Sequence, residues 1–406
     1  MSDLDETPKT LLITITGKDR PGVTSAVFAT IAAAGVEVLD LEQIVLRRRL
    51  VLGLLVTAPR DWKKLRAAIE ETASGLGMNA EVLRGQGDNQ PRRMGRSHVT
   101  VLGSPLRASA MAAITGRIAD SGANIDRIER MARYPVTAID LAISGVETEV
   151  LRPLLAAEAS RQGIDIAVQP ANLLRRSMRL IVMDVDSTLI QGEVIEMLAA
   201  HAGCEDEVAR VTDQAMAGEL DFEASLRARV ALLEGVPAGA IDEVYDAITL
   251  APGARTLVRV LRRLGYRFAL VSGGFSQITD RLAADLDIHY SRANELEIVD
   301  GLLTGRVLGP VVDRAAKARA LREFAADIGV PEGATIAIGD GANDLDMLNA
   351  AGLGIAYNAK PMVRDAADAA VNVPYLDTIM YLLGITREEI EAADAEAGIV
   401  TPAPSI

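Results

Sequence analysis

The sequence contains one cysteine, Cys204, and therefore cannot form an internal disulfide. A lone thiol is typical of a protein kept in a reducing compartment. Residues 1–6 lack the basic and apolar regions of a signal peptide, and no apolar run is long enough to span a bilayer. We expect a cytoplasmic protein without a membrane partner.

Basic residues are outnumbered, with 42 Lys and Arg against 56 Asp and Glu, which gives a net charge of −14. This balance argues against a nucleic-acid partner. An anionic substrate is compatible with the sequence only if cations are placed locally at its site. Aromatic residues make up 3% of the chain, so aliphatic side chains must build the cores. With 406 residues, 49% of them hydrophobic, we expect two or three domains.

The first part of the chain contains an internal repeat of strand, helix and strand patterns. Gly35 and Gly122 end the two predicted helices, and Ile31 and Ile118 occupy equivalent positions. Each repeat continues with a further strand and helix, an order that predicts a small α+β ferredoxin-like domain. The domains are predicted at 1–88 and 96–172, with a linker at 84–96; the predicted strands are 11–16, 36–45, 50–57, 99–102, 123–128 and 136–144, and the helices 23–34 and 111–121.

The first repeat resembles the ACT domain family, whose members are small regulatory modules that bind amino acids. The resemblance rests on residues 17–23 (GKDRPGV) and 35–38 (GVEV). Pro21 suits the first helical position, Gly22 permits close backbone approach, and the free N–H groups there can hold a carboxylate. A well-made helix N-terminus is the alternative reading. The second repeat has LRAS at 106–109, so we expect its site to be weaker or purely structural. The predicted regulatory residues are Asp19, Arg20, Pro21 and Gly22.

From about residue 176 the pattern changes to strands at 180–184, 267–271 and 335–338 that alternate with helical segments. This alternation predicts an α/β fold with a doubly wound parallel sheet, which we place at 176–386. The mainly helical segment 196–249 is more than such a sheet requires, and we interpret it as a cap over the site. Residues 387–406 read as a solvated acidic helix followed by a tail.

Two carboxylates, Asp184 and Asp186, follow directly after the first of these strands. Residues i and i+2 of a strand point the same way, so both carboxylates leave its carboxyl end together. Open α/β sheets place their ligands at that edge. Two acids at this spacing repel each other unless a cation or a proton lies between them.

Three further motifs follow in the same region. The sequence SGGF at 272–275 combines a hydroxyl with two glycine amides that can bind an anion, although a plain glycine-rich turn is the alternative. Lys317 lies in a helical pattern, where a lysine is most often a surface residue. The sequence GDGAND at 339–344 follows the third strand, and a glycine-rich turn alone does not require both Asp340 and Asp344.

Taken in this order, the four motifs resemble the haloacid dehalogenase superfamily of phosphohydrolases and cover residues 180–350. The finer resemblance is to the phosphoserine phosphatase family, through DVDST at 184–188, DFE at 221–223, RARV at 227–230 and the motifs above, together with Glu193 and Met216. It implies a Rossmann-like sheet with a helical cap. The sequence has no G-x-x-x-x-G-K-[ST] loop, so a P-loop mechanism is not supported.

The resemblance also implies the chemistry of the site. Asp184 would be the nucleophile that forms an aspartyl-phosphate, and Asp186 the proton donor and acceptor. Mg²⁺ is the implied cofactor, because it prefers carboxylate and phosphate oxygens. The implied metal ligands are Asp184, the Asp186 carbonyl and Asp340; the implied phosphoryl-binding residues are Lys317, Ser272 and Gly273, with Asn343 and Asp344 orienting the lysine, the water and the metal.

The same resemblance implies O-phospho-L-serine as substrate, with L-serine as product and candidate effector, and a homodimer. Glu193 would bind the substrate ammonium and Arg229 its carboxylate, while Met216 and Phe222 would line the lid. A related phosphatase acting on phosphohomoserine or another small phosphomonoester is the alternative enzyme. An amino-acid-sensing protein with an inactive phosphatase domain is the alternative outside enzymes; the intact Asp184 and Lys317 argue against it.

Overall fold

The computed structural model describes residues 9–87, 95–172, 179–216 and 220–401. The chain divides into two compact units, Met1–Arg92 and Arg93–Ile406. Among the described residues, no helix has the length and apolar character needed to cross a membrane.

The first unit is a four-stranded antiparallel sheet with two helices. Leu11, Ile13 and Ile15 are fully buried and alternate with exposed or half-buried residues along β1, because every second side chain faces the helices. The sheet order is β2-β3-β1-β4. Its elements are β1 (Lys9–Lys18), α1 (Val23–Ala32), β2 (Val38–Leu46), β3 (Arg49–Thr57), α2 (Trp62–Gly75) and β4 (Met78–Gln86).

The second repeat has the same element order and the equivalent strand order, β6-β7-β5-β8, which confirms the predicted repeat. The linker predicted at 84–96 is too long, because β4 continues through Arg84 to Gln86; residues 88–94 of that linker lie outside the described part of the chain. The elements are β5 (Ser97–Gly103), α3 (Ala108–Asp120), β6 (Asn124–Ala132), β7 (Thr137–Ser144), α4 (Thr148–Gln162) and β8 (Asp165–Pro170).

The predicted doubly wound sheet is confirmed, in the strand order β12-β11-β10-β9-β13-β14-β15. Strands β9, β10, β11, β13, β14 and β15 pair in parallel, and β12 closes the edge as an antiparallel hairpin partner of β11. The fully buried β9 lies between β10 and β13, so the loops after these three strands meet at one edge. The strands are β9 (Leu180–Met183), β10 (Arg267–Phe275), β11 (Tyr290–Val299), β12 (Leu302–Leu308), β13 (Thr335–Gly339), β14 (Leu353–Tyr357) and β15 (Ala369–Val371).

Helices surround this sheet, and in the described part of the chain five of them lie between β9 and β10, the first four of which form an inserted segment. Where the chain leaves and re-enters the sheet layer, Ile190 and Leu250 form an antiparallel bridge. The inserted helices, which we call the cap, are α5 (Val194–Ala202), α6 (Glu205–Met216), α7 (Phe222–Ala231) and α8 (Gly239–Ala247). The others are α9 (Ala254–Arg263), α10 (Ser276–Asp285), α11 (Arg314–Asp327), α12 (Leu345–Ala350), α13 (Pro361–Ala366), α14 (Ile379–Leu382) and α15 (Arg387–Glu396).

The sheet of the second repeat is continuous with the doubly wound sheet. Strand β15 pairs antiparallel with β8 through Ala369 and Ala167, which makes a single sheet of 11 strands. Beside this contact, the Asp165 carboxylate accepts hydrogen bonds of 2.7 and 3.0 Å from the main-chain N–H groups of Asn372 and Val373. Second-repeat side chains also enter the core of the doubly wound sheet, among them Leu102, Met131, Ala132, Val136 and Ala138. The domain boundaries predicted from the sequence, 1–88, 96–172 and 176–386, remain predictions.

The C-terminal helix α15 is solvated on one face only, and the interpretation was wrong for the other face. Ile390 is buried, and the fully buried carboxylate of Asp394 lies 2.6 Å from Arg259 and 3.2 Å from Arg263. The sequence of the helix gives no sign of these partners, because both arginines belong to α9, which is more than 120 residues earlier in the chain. One face of the helix, with Arg387, Ile390 and Asp394, is therefore packed against the rest of the domain, while its glutamates remain exposed.

Candidate active site

A buried ionic triad lies at the carboxyl end of β9. Lys317, on α11, places its ammonium 2.8 Å from Asp184 and 2.7 Å from Asp344. Burial by itself would lower the pKa of Lys317, but the two carboxylates outweigh it and raise that pKa. Lys317 is therefore a fixed internal cation, contrary to what a lysine on a helix would usually indicate.

Asp184 is oriented by its own backbone as well as by the lysine. The N–H of Val185 donates a 2.8 Å hydrogen bond to Oδ1 of Asp184, and the N–H of Asp184 donates to Ile338 on the neighbouring strand. Burial and the charge of Asp344 raise the pKa of Asp184, against the opposing effect of Lys317. The carboxylate is thus held in one position, and a further cation beside it would favour its ionised form.

Asp186 faces the same cavity, as the i, i+2 spacing predicts. Its two oxygens accept hydrogen bonds from the N–H of Val194, at 2.8 Å, and from the hydroxyl of Ser272, at 3.1 Å. Burial and the charge of Glu193 raise its pKa to about 6. A carboxyl group with that pKa can both hold and release a proton near neutral pH.

Three carboxylates form a group that fits a hard divalent cation. Asp184, Asp340 and Asp344 each offer an oxygen within 4.8 Å of the others. Asp344 already accepts hydrogen bonds from Lys317 and from the N–H of Gly341, whereas Asp184 and Asp340 face the cavity. Burial and the charge of Asp344 raise the pKa of Asp340 to about 7. A bound cation would relieve the repulsion between these carboxylates.

The SGGF motif forms the irregular end of β10 rather than a separate turn. Ser272 is fully buried, and the N–H of Gly274 donates a 2.8 Å hydrogen bond to its hydroxyl. A Cβ at Gly274 would lie 2.5 Å from an oxygen of Asp186, and one at Gly273 would lie 2.9 Å from the Phe222 ring. Glycine at both positions therefore lets the cap and Asp186 approach the backbone.

The cap covers this edge of the sheet and encloses a cavity of about 730 Å³. Phe222 and Arg229, both on α7, line it, and Glu193 lines it from the start of α5. Burial lowers the pKa of Arg229, an effect that the charges of Glu193 and Asp186 oppose. Asn343 lines the cavity from the sheet side. The side chain of Met216 lies outside the described part of the structure.

Several supporting residues were not predicted. The hydroxyl of Thr188 donates a 3.0 Å hydrogen bond to Asp340, and Asn294 holds the Gly273 carbonyl at 2.7 Å. Arg314 and Lys360 line the cavity on the sheet side. The proximity of Thr188 to an acidic motif was visible in the sequence, whereas nothing in the sequence singled out Asn294.

The predicted regulatory segment lies in the first unit, between β1 and α1. Helix α1 begins at Val23, with Gly22 as N-cap at φ 91°, so the prediction that Pro21 occupies the first helical position was wrong. The left-handed φ explains the glycine. No side chain caps this helix, and Arg20 and Pro21 are exposed. The N–H of Asp19 donates to the carbonyl of Arg48.

Comparisons with known families match the three parts of the chain. The profile of the haloacid dehalogenase-like hydrolases matches residues 181–349. Two ACT domain profiles match residues 9–82 and 96–169. These matches confirm the two resemblances on which the sequence interpretation rests.

Whole-chain relatives are also known. The chain is 63% identical over 390 residues to a phosphoserine phosphatase of Streptomyces coelicolor, with 96% of this chain and 95% of the relative covered. It is 52% identical over 391 residues to a phosphoserine phosphatase of Mycobacterium tuberculosis, with 95% of each chain covered. Among solved structures, a probable phosphoserine phosphatase from Vibrio cholerae in unliganded form has a TM-score of 0.57 at 34% identity and covers 74% of this chain and 88% of that one.

Proposed function

The chain belongs to the phosphoserine phosphatase family of haloacid dehalogenase-like hydrolases, and on that premise we propose that it hydrolyses O-phospho-L-serine to L-serine and phosphate, the final step of serine biosynthesis. The observation that carries the proposal is the buried contact of Lys317 with Asp184, 2.8 Å long, at the edge where Asp186 and Asp340 converge. Phosphate esters hydrolyse slowly because the phosphoryl group repels nucleophiles, so fixed cations beside a fixed carboxylate address the main barrier.

Asp184 is the proposed nucleophile. Its carboxylate attacks phosphorus, the bond from phosphorus to the serine oxygen breaks, and an aspartyl-phosphate forms. Water then attacks phosphorus, releases phosphate and restores the carboxylate. Lys317, the Ser272 hydroxyl and the Gly273 amide hold the phosphoryl oxygens through both steps, and the charge of Lys317 favours the ionised form of Asp184 against the effect of burial.

Asp186 is the proposed acid and base. It gives a proton to the departing serine oxygen and later takes one from the attacking water, which balances the two steps. Its pKa of about 6 supports this role, because the group holds a proton often enough near neutral pH and releases it easily.

Mg²⁺ is the proposed cofactor, held by Asp184, Asp340 and the Asp186 carbonyl, with Asn343 and Asp344 orienting the site. The donor set is made of oxygens and lies where carboxylates repel one another, which suits a hard divalent cation. When bound, the ion would neutralise charge on the phosphoryl oxygens. Asp344 is the orienting residue because its oxygens are already engaged by Lys317 and Gly341.

Two side chains are proposed to select the amino-acid part of the substrate. Glu193 would bind the ammonium and Arg229 the carboxylate, since both line the cavity with opposite charges. Phe222 and Met216 would close the cap over the bound substrate and exclude water. These two contacts would distinguish phosphoserine from phosphomonoesters that have no ammonium and carboxylate groups.

The test compares phosphate release from L-phosphoserine, phosphohomoserine, phosphothreonine and p-nitrophenyl phosphate, with and without Mg²⁺. The parent should prefer L-phosphoserine, Asp184→Asn should lose several orders of magnitude in turnover, and Asp186→Asn about 10²–10⁴-fold. Asp300→Asn, in the turn between β11 and β12, is the matched carboxylate control. Substantial turnover by folded Asp184→Asn would exclude the covalent mechanism, and a preference for another ester would exclude the named substrate.

We further propose that L-serine regulates the enzyme at the first ACT domain, near Asp19–Gly22. The uncapped start of α1 supports this, because its free N–H groups can hold a carboxylate. In the full chain, Arg20→Ala should weaken serine inhibition while the matched Arg107→Ala, at the start of α3, should not. If inhibition is competitive with phosphoserine and equal in the parent and both variants, then serine inhibits as a product bound in the active site, and the proposed regulation is excluded. Homodimer formation and a cytoplasmic location remain predictions from the sequence.

A further inference from the structure

Two cations at the active-site cavity, Arg314 and Lys360, have no role in the chemistry above. The rim of the cavity on the sheet side is formed by Arg314, Lys360 and Met362. Arg314 is paired with Asp346 at 2.6 Å. Lys360 is exposed, and within the described part of the chain we find no ion pair that engages it. It is therefore an uncompensated positive charge at the rim.

The backbone fixes the place from which the Lys360 side chain starts. Lys360 follows β14, the strand beside β13, and so lies at the same sheet edge as Asp340. Asn358, with a left-handed φ of 47°, donates its N–H to Val371 at 2.9 Å. Pro361 restricts the preceding residue to an extended conformation, and Lys360 has φ −63° and ψ 153°. With the backbone held in this way, the ammonium of Lys360 can move by rotation about the bonds of its side chain.

The charges inside the cavity explain what such a residue can contribute. Asp184, Asp186, Glu193 and Asp340 line the cavity, with Asp344 directly behind, against the cations Lys317 and Arg229. A phosphate monoester carries between one and two negative charges near neutral pH. Even with a divalent cation bound, the fixed charges do not favour the approach of such an anion. In a chain with a net charge of −14, long-range attraction has to come from a local cation.

We propose that Lys360 is a substrate-attracting residue, whose ammonium draws the phosphate group of the substrate to the rim before Lys317 and Ser272 bind it. The proposal deepens the phosphatase function but requires only a phosphomonoester anion, whichever alcohol the phosphate carries. Attraction by a whole charged cleft raises association rates by about 10–10³-fold. For one exposed charge we expect about a 3- to 10-fold effect on kcat/KM at low salt.

The experiment uses the full-length enzyme with two substrates, L-phosphoserine and p-nitrophenyl phosphate. Lys360→Ala, Lys360→Glu and Lys360→Arg are compared with Arg319→Ala, which removes the same charge from an exposed position of α11 outside the cavity lining. Steady-state kinetics are measured at ionic strengths of about 0.01 M and about 1 M, where the Debye lengths are ~30 Å and ~3 Å.

At low salt, kcat/KM should fall in Lys360→Ala, fall further in Lys360→Glu and be retained in Lys360→Arg and Arg319→Ala, with kcat close to that of the parent throughout. At high salt the differences should disappear. A loss in kcat that persists at high salt would make Lys360 part of the catalytic machinery and overturn the proposal, as would an unchanged kcat/KM. Because the effect must be present with p-nitrophenyl phosphate too, it is tested even if phosphoserine is not the preferred substrate.

Discussion

The hydroxyl of Ser187 donates a 2.9 Å hydrogen bond to Oε1 of Glu193. Ser187 has a left-handed φ of 57°, an uncommon conformation for a residue with a Cβ, and its N–H donates to the carbonyl of Gly192. The segment from Asp186 to Glu193 therefore forms a loop whose two ends are joined by hydrogen bonds. This closure ties the proposed ammonium-binding carboxylate to the proposed acid and base.

The first prediction follows from that contact. Ser187→Ala and Ser187→Gly both remove the hydrogen bond, but glycine also relieves the strained φ. If the hydroxyl orients Glu193, both variants should raise KM for L-phosphoserine about 5- to 10-fold, equivalent to about 1–1.4 kcal/mol. Neither should affect p-nitrophenyl phosphate, which has no ammonium. A defect in Ser187→Ala alone, on both substrates, would show that only the backbone conformation matters.

The second prediction concerns recognition of the carboxylate by Arg229. Arg229→Ala should raise KM for L-phosphoserine by an amount corresponding to about 1.5–3 kcal/mol, because a charge-assisted hydrogen bond is lost. The KM for p-nitrophenyl phosphate should change little. Arg227→Ala, an exposed neighbour paired with Glu223 at 2.7 Å, is the control. Equal losses on both substrates would mean that Arg229 is structural or contacts phosphate.

The third prediction concerns stability. In buffer without divalent cations, Lys317→Met should lower the free energy of unfolding by about 3–5 kcal/mol, because Asp184 and Asp344 are left buried without their cation. Urea unfolding measures this, and activity should be lost as well. Adding Asp344→Asn to Lys317→Met should recover part of the stability, since one buried carboxylate is removed. A cost below about 1 kcal/mol in the single variant would contradict the role of Lys317 as the internal counter-ion.

The fourth prediction combines pH and metal. In the folded protein the pKa values of Asp186 and Asp340 are raised to about 6 and about 7, so these two groups bind more protons in the folded state than in the unfolded chain. Without metal, stability should therefore fall as pH rises from about 4, the unfolded carboxyl pKa, to about 7. Mg²⁺ should raise the melting temperature more at the upper end of this range than at the lower end, because protons compete for the ligands.

Thermal unfolding with EDTA and with Mg²⁺ across that pH range measures this linkage. Asp340→Asn should lose the Mg²⁺-dependent stabilisation, whereas Asp300→Asn should retain it. A stabilisation by Mg²⁺ that is independent of pH, or that survives in Asp340→Asn, would place the cation elsewhere.

The positions of Asp184, Asp186 and Asp340 could be predicted because two local rules suffice. Side chains alternate along a strand, and the carboxyl ends of parallel strands meet at one edge. The same rules bring Thr188 and Asp340 to this edge, but they do not determine which side-chain atoms form hydrogen bonds there. For the same reason the C-terminal helix was misread, since the arginines that neutralise Asp394 lie on α9.

Lys360 shows a different limit of sequence reasoning. Its position before Pro361 predicts an extended backbone, but its place at the cavity depends on the pairing of β14 with β13. Unlike the equally short β9 and β13, the strands β14 and β15 are not followed by an acidic motif that would single them out in the sequence. The side chains at their ends become visible only once the order of the strands is known.

The pairing of β15 with β8 has a consequence for any attempt to shorten the protein. Cutting the chain near residue 176 would remove the pairing of β15 with β8 and leave β15 as an open strand edge, and such edges promote aggregation. It would also expose the apolar surface that Met131 and Val136 now cover. A fragment that begins there is not a neutral reference for the intact enzyme. The second ACT domain and the phosphatase sheet should therefore unfold in one cooperative thermal transition. A force applied to the C-terminus should act on both, because they share one sheet.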